Sequence, residues 1–320
     1  MQTLQSKTVC YVLLITIIMV ETTGCLRTVP AQLPNTDIVF QTMAYDNGQG
    51  YSFAFVNADG SGLTIVKLNQ GIGAAILPAW SADGKTLIFR GEVRIPDVNY
   101  LGQFFILRAG RGLTMCQPEH TRGGGPLFIT ADGKQAVMNV VPQLPDKLVL
   151  LDLDNCEITN TFLTVRALGG SITSSKREVV FWQGEDIGVL DADSAAQTIT
   201  IVGHGIAPRW SPDDQWIAYT GRDGIYVVKR DGTMSRRVVA YQAFRQYWTG
   251  PTYEDWPPVP SWSPDGKWLV YHKCMLPDDQ VCEKSNVSQY AIFKVNVETG
   301  VETRIVDGGL NPYWRWRQPK

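Results

Sequence analysis

The stretch at 260–271, PSWSPDGKWLVY, has near-copies along the chain: PAWSADGKTLIF at 78–89 and PRWSPDDQWIAY at 208–219. More divergent versions are LFITADGKQAVM at 127–138 and GSITSSKREVVF at 170–181, and a last fragment, PYWRWR, stands at 312–317. One column through all six holds Trp80, Ile129, Ile172, Trp210, Trp262 and Trp314, at intervals of 49, 43, 38, 52 and 52 residues. Self-similarity at that period marks an array of small β units, none of which can bury its apolar face alone.

Each copy has a physical reading. A short apolar strand ends in Ser-Pro-Asp-Gly, a turn made from a φ-restricted Pro, a side-chain acceptor and a residue tolerant of positive φ. An aromatic and β-branched strand follows at once. Most copies are then followed by a second hairpin: FAFVNADGSGLTIVKL at 53–68, IYVVKRDGTMSRRVV at 225–239 and AIFKVNVETGVETRIV at 291–306. Four strands per repeat is the content of a propeller blade. The fold expected is therefore all-β, a six-bladed β-propeller of four-stranded blades.

The strand at 37–45 has no Trp-Ser-Pro-Asp copy before it, and PYWRWR is followed by no further strand pattern. The two fragments complement each other. The C-terminal strand is expected to be the innermost of blade one, whose other three strands come from 37–68, so that the ring closes without open edges. Blade two is then expected at 78–117, blade three at 127–164, blade four at 170–203, blade five at 208–240 and blade six at 260–306. The pattern resembles the TolB-like family of WD-type β-propeller repeats over residues 37–320, on the Trp-Ser-Pro/Ala-Asp-Gly-Lys turn, the aromatic strand after it and the later Asp-Gly hairpin. Blades three and four lack the Trp, and blade four also lacks the Asp-Gly. TolB itself carries an α/β domain before its propeller. Only a short tether precedes the repeats here, so the resemblance implies the fold and not TolB's own partner contacts.

Lys7 precedes the apolar run 9–20, VCYVLLITIIMV, and TTGC follows, ending at Cys25. The run has the length of a signal-peptide core and is short for a bilayer span. Gly24-Cys25 resembles a bacterial lipobox with Thr22 in place of the usual Leu. Residues 1–24 read as a lipoprotein-type signal, Cys25 as the lipidation site and 25–36 as a polar tether. An uncleaved anchor or ordinary signal cleavage stays open. The expected location is the bacterial cell envelope, membrane-anchored and facing periplasm or exterior.

Export makes the other cysteines informative, because disulfides persist outside the cytosol. Cys274 and Cys282 bracket one loop and are the first pair expected. Cys116 and Cys156 then pair between neighbouring repeats, with two buried free thiols as the alternative. The 29 basic residues balance 31 acidic ones with no basic run, which argues against nucleic acid as a partner. Asp83, Asp132, Asp213 and Asp265 sit one per blade, too dispersed to share a calcium ion, and read as turn residues. His120, His204 and His272 form no closely spaced ligand pair and read as structural. The sequence has no Gly-x-Ser-x-Gly, His-Glu-x-x-His or phosphate loop. No cofactor, metal or catalytic residue is expected.

Loop length carries the remaining signal. The longest insertions, at 91–103, 241–259 and 273–289, are expected on one face of the ring, opposite the Asp-Gly turns. The candidate binding residues are Arg94 and Tyr100, with Tyr241, Phe244, Arg245, Tyr247, Trp248, Tyr253, Asp255 and Trp256. Aromatics beside arginine are typical interface anchors. A loop that folds back to plug its own channel has the same composition. The function expected is a monomeric protein-binding or scaffolding module for an envelope protein or peptide. The alternative is a lyase- or glycosidase-type enzyme using Asp97, Glu254, Asp278 or Asp279, two of which would have to converge. A sensory or cell-surface domain is a third reading.

Overall fold

The computed structural model describes residues 33–43, 52–66, 72–81, 83–95, 98–116, 122–130, 132–141, 147–163, 170–192, 198–240, 258–277, 282 and 286–315. Among these lie 24 strands in six four-stranded antiparallel sheets. Blade one contributes β1 (Ile38–Thr42), β2 (Ser52–Val56) and β3 (Thr64–Val66). Blade two has β4 (Ile72–Trp80), β5 (Thr86–Ile95), β6 (Val98–Arg108) and β7 (Gly112–Cys116). Blade three has β8 (Arg122–Ile129), β9 (Gln135–Val141), β10 (Lys147–Asp152) and β11 (Ile158–Leu163). In blade four these are β12 (Gly170–Ile172), β13 (Glu178–Gln183), β14 (Asp186–Asp191) and β15 (Ile199–His204). Blade five has β16 (Ile206–Trp210), β17 (Trp216–Gly221), β18 (Gly224–Lys229) and β19 (Arg236–Ala240). Blade six has β20 (Ser261–Trp262), β21 (Trp268–Cys274), β22 (Tyr290–Asn296) and β23 (Glu302–Asp307), and β24 (Leu310–Trp314) follows it.

Blade one is ordered β24-β1-β2-β3, so the terminal strand is innermost and the ring is closed by the two ends of the propeller. Its register pairs Ile38 with Trp314, Val39 with Tyr313 and Gln41 with Leu310. The Arg315 N–H donating to the Asp37 carbonyl at 2.7 Å extends that ladder by one bond. The fold is the six-bladed propeller that the repeat predicted.

The Trp column ends the innermost strand of every blade and is buried in all six, from 1 % exposed at Trp80 to 7 % at Trp314. Each member packs on the blade before its own. Trp80 meets Phe55 of blade one edge to face, with ring centroids 5.2 Å apart. Trp210 packs with Val180 of blade four, Trp262 with Ala218 of blade five and Trp314 with Val270 of blade six. Ile129 and Ile172 do the same in the two blades without Trp, against Leu87 and Leu148. Burying a side chain of this size contributes roughly 2–3 kcal/mol. The column is therefore the glue between blades.

Two features differ from the sequence reading. The segment 91–103 is not a loop: β5 and β6 continue their ladder through it, pairing Gly91 with Gln103, Val93 with Leu101 and Ile95 with Val98. Blades two and three also start earlier than expected, at Ile72 and Arg122, because their inner strands are nine and eight residues long. Alternating apolar and polar residues in GEVRI and VNYLGQ suit a continued hairpin, and the sequence reading took the repeat edge as the strand edge.

Both expected disulfides are formed. Cys116 ends β7 of blade two and bonds Cys156 in the β10–β11 turn of blade three, with Cα atoms 5.6 Å apart. Cys274 bonds Cys282 with Cα atoms 5.8 Å apart, bracing the segment before β22. Beside the first bond, the Arg108 guanidinium donates to the Leu153 carbonyl and to Asp154 Oδ1, the latter at 3.1 Å.

Candidate binding sites on the two faces

The turns after the innermost strands form one face. In blade two, Ser81 Oγ donates to Asp83 Oδ1 at 2.8 Å and accepts the Thr86 N–H at 2.9 Å, while Asp83 Oδ1 accepts the Lys85 N–H at 2.9 Å. The same three bonds recur at Thr130, Asp132 and Lys134, at Ser211, Asp213 and Gln215, and at Ser263, Asp265 and Lys267. Blade four keeps two of these bonds, with Ser175 in place of Asp: Thr173 Oγ1 lies 3.2 Å from Ser175 Oγ and accepts the Glu178 N–H at 3.1 Å. The four aspartates are thus consumed by their own turns.

The residue after that acidic position has positive φ in all five turns: Gly84, Gly133, Lys176, Asp214 and Gly266. Blades four and five place a side chain there despite the left-handed cost of roughly 1–2 kcal/mol, and each reaches the preceding blade. Lys176 Nζ donates to Asp132 Oδ2 at 2.9 Å and to Gln135 at 2.6 Å; the Asp214 carboxylate accepts from Ser174 N and Oγ. Burial pushes the Asp132 carboxyl up, but the Thr130 hydroxyl, Lys176 and the Lys134 N–H outweigh it and hold it at about 2. At Gly84 the neighbour leaves no room: a Cβ would lie 1.9 Å from the Arg315 guanidinium, which stacks on Trp80 at 4.9 Å.

Inside this rim lies a partly open funnel of about 30 Å³ lined by Phe128, Arg209, Trp210, Ser261, Tyr313 and Trp314 among others. Three inner strands share one device just before their Trp. Leu77, Ala207 and Asn311 precede Pro in x-Pro-x-Trp and have φ of 54°, 54° and 49°. The register shifts beside each of them, between Ile76 and Ala79, Ile206 and Arg209, and Val39 and Gln41. Bonds between blades stitch the funnel wall. Trp210 N donates to Ser171 Oγ and Trp314 N to Ser261 Oγ, both at 2.9 Å, and Trp262 Nε1 donates to the Arg209 carbonyl at 3.0 Å.

Arg209 is the buried cation of this wall. Its guanidinium is buried, and Nη1 donates to the Gly170 and Pro208 carbonyls at 3.2 and 3.1 Å while Nε has no partner. Burial lowers its pKa to about 10, with Tyr313 opposing the shift, so it remains a cation at neutral pH. Burial in turn pushes the Tyr313 phenol up to about 12, and a hydrogen bond from the Ile129 backbone pulls it back.

A second buried polar set lies one position further along the second strands. The fifth residue after each turn is Gln41, Arg90, Asn139, Trp182, Thr220 and His272 around the ring, and Gln41, Asn139, Thr220 and His272 are buried. Thr220 Oγ1 donates to the Pro258 carbonyl at 2.6 Å, Asn311 Nδ2 to Gln41 Oε1 at 3.2 Å and Asn311 N to His272 Nδ1 at 3.2 Å. His272 Nε2 has no partner, and burial lowers the ring's pKa to about 3, so the imidazole is neutral. His272 is thus buried with a hydrogen bond at Nδ1 alone. His204 is exposed, with Nδ1 2.9 Å from Asp186 Oδ1. His120 lies outside the described residues.

On the opposite face the rim of blades four and five encloses an open cleft of about 530 Å³. Its walls include Glu185, Ile201, His204, Tyr219, Arg222, Asp223, Tyr226 and Ser235. Tyr219 and Tyr226 stack with centroids 5.5 Å apart. Arg222 pairs with Glu185 at 2.5 Å, and Asp223 accepts from Tyr226 at 2.7 Å and from Arg237. Ile201 on the edge strand β15 is 51 % exposed.

Arg94 and Tyr100 fall in the strands β5 and β6 near the hairpin tip, not on a loop. Tyr241, Phe244, Arg245, Tyr247, Trp248, Tyr253, Asp255 and Trp256 lie outside the described residues, as do Cys25, Asp97, Glu254, Asp278 and Asp279. Of the segment 241–257 the structure gives the point of departure. Ala240 pairs with Gly224, which pairs with Gly221 at the wall of the cleft. Sequence reasoning missed the cleft and the funnel. The residue before the Trp column reads Ala79, Phe128, Ser171, Arg209, Ser261 and Tyr313, and its single charge was a usable signal.

No family model and no curated protein matches the chain. Among solved structures, TolB from Acinetobacter baumannii matches 95 % of this chain and 70 % of its own length at 12 % identity, with a TM-score of 0.64. A candidate TolB from Agrobacterium tumefaciens matches 87 % of this chain and 92 % of its own, at 17 % identity and a TM-score of 0.58. A chain of the nidogen–laminin complex matches 89 % of this chain and 100 % of its own, at 9 % identity and a TM-score of 0.59. Likeness at these identities is one of fold. The chain is a six-bladed β-propeller, similar in fold to the TolB structures that the repeat motif resembles.

Proposed function

We propose that the chain is an exported binding module that docks an envelope protein or peptide on its non-turn face. The observation that carries this reading is the cleft of about 530 Å³ at the rim of blades four and five. The aromatic segment 241–257 departs from beside it. Two disulfides support export. A ring stitched blade to blade is a rigid frame for variable loops, and loops on rigid frames carry recognition. Cys25 is the proposed lipid attachment.

The reading is tested with mature protein used as bait in an envelope extract. Trp248→Ala with Trp256→Ala is compared with Lys85→Ala with Lys267→Ala, and Arg222→Met adds a cleft variant. Losing an anchor costs about 2 kcal/mol or more of binding, whereas a rim charge changes mainly the association rate. The tryptophan pair is expected to abolish capture and the lysine pair to leave it intact. The reverse outcome places docking on the wrong face. Membrane fractionation of Cys25→Ser tests the anchor: release is expected, and an unchanged membrane fraction refutes acylation.

A further inference from the structure

The funnel on the turn face has a charge imbalance that its own residues do not resolve. Arg209 is a buried cation whose described partners are two neutral carbonyl oxygens, and its Nε–H is unused. Trp210, which also lines the funnel, leaves its indole Nε1–H unused in the interior. Tyr313 accepts from the Ile129 backbone, which leaves its phenolic proton to be given away. All three spare groups are donors. The carboxylate at the rim, Asp214, is committed to Ser174 N and Oγ. Buried charges are paired in stable proteins, because an isolated one is costly to strip of water. Water filling the funnel would satisfy donors but not the charge.

We propose that the funnel is an anion site in which Arg209, assisted by Trp210 and Tyr313, holds one small monovalent anion, a free halide or a carboxylate group. The cavity volume of about 30 Å³, against the roughly 10–15 Å³ that one water needs, limits the site to a small ion. Doubly charged or bulky anions are excluded by the single guanidinium and by the walls of Phe128, Trp262 and Trp314. The site faces away from the loops of the proposed docking surface and stands or falls without it.

Chloride-35 NMR line broadening on the mature protein tests this directly, with formate and acetate as competitors at constant ionic strength. Saturable broadening in the millimolar range is expected, suppressed by formate and lost at least tenfold in Arg209→Met. Arg222→Met, at an exposed guanidinium, should leave it unchanged. Chloride binding tighter than formate assigns the site to a free halide; formate binding tighter assigns it to a carboxylate. If Arg209→Met fails to fold, Arg209→Lys and Tyr313→Phe replace it, each expected to weaken binding several-fold while the circular dichroism stays that of wild type. Broadening that formate does not suppress, or that survives the Arg209 and Tyr313 substitutions, overturns the proposal.

Discussion

The two faces of the ring are built by opposite rules. On the turn face four blades repeat the same Ser/Thr–Asp bond set and a fifth repeats two of its three bonds around Thr173 and Ser175, with further variation at the left-handed position, where Lys176 and Asp214 latch one blade to the next. On the other face the described connections fall into three kinds, and only blades four and five share one, a two-residue turn at Gln183–Asp186 and at Gly221–Gly224. Blade two carries a hairpin to Ile95 and Val98, blade four turns at Gln183–Asp186, and blade six is braced by Cys274–Cys282. Repetition marks what the ring needs to stand, and the proposed docking face is the one where blades diverge.

The sharpest way to break the comparison is to remove what closes the ring. Deleting 310–320 uncovers β1, strips blade one of Trp314 and is expected to abolish a cooperative unfolding transition. Trp314→Ala alone should cost about 3–5 kcal/mol in denaturant unfolding. A deletion mutant melting like wild type would contradict closure by β24. The disulfides come next. Cys116 and Cys156 are 40 residues apart and Cys274 and Cys282 only 8. Chain-entropy arguments give about 4 kcal/mol for the first and about 2.5 kcal/mol for the second. Paired Cys→Ala variants should therefore show the larger loss between blades two and three.

The buried belt on the loop side of the ring predicts a pH effect that sets in near pH 6.5, well above the range in which the turn-face carboxylates titrate. His272 has its folded pKa depressed by burial to about 3, below the ordinary 6.5 of an unfolded chain. Its stabilising effect is complete above pH 6.5 and is lost as pH falls toward 3, because only the unfolded chain takes up the proton. Between pH 6.5 and 4.5 the loss should run at roughly 1 kcal/mol per pH unit, and His272→Gln should flatten it. A wild-type slope that survives the substitution would assign the effect elsewhere.

The turn face answers with smaller numbers. Ser263→Ala removes the acceptor of the Trp268 N–H and the donor to Asp265, and should cost about 1–2 kcal/mol. Asp132→Asn should cost less than about 1 kcal/mol, since the carboxylate is 41 % exposed. That contribution is present above the ordinary carboxylate pKa near 3.8 and is lost as pH falls toward 2.

The sequence showed the turn face almost completely and the other face hardly at all, for a physical reason. Trp80, Trp210, Trp262 and Trp314 face the same packing problem in every blade, so the same residue recurs and the period is visible. The terminal closure followed from two half-motifs that complete each other. The x-Pro-x-Trp bulges were hidden because Leu77 and Ala207 are poor markers of a left-handed backbone, Asn311 being the only one of the three with a local preference for it. The extended hairpin of blade two was misread as a loop because, among the described residues, no other repeat continues its second-to-third strand ladder that far. Arg209 stands in a repeated column but differs from its five counterparts, and a difference inside a repeat is visible only once the column is aligned.

The division of labour between the faces is tested most directly by hydrogen-exchange mass spectrometry of the mature protein with and without a captured envelope partner. The account predicts new protection across 221–257, at the blade four–five rim and the aromatic segment, with exchange at the turns 81–86 and 263–268 unchanged. Protection confined to those turns, with 221–257 exchanging as in the free protein, would contradict it.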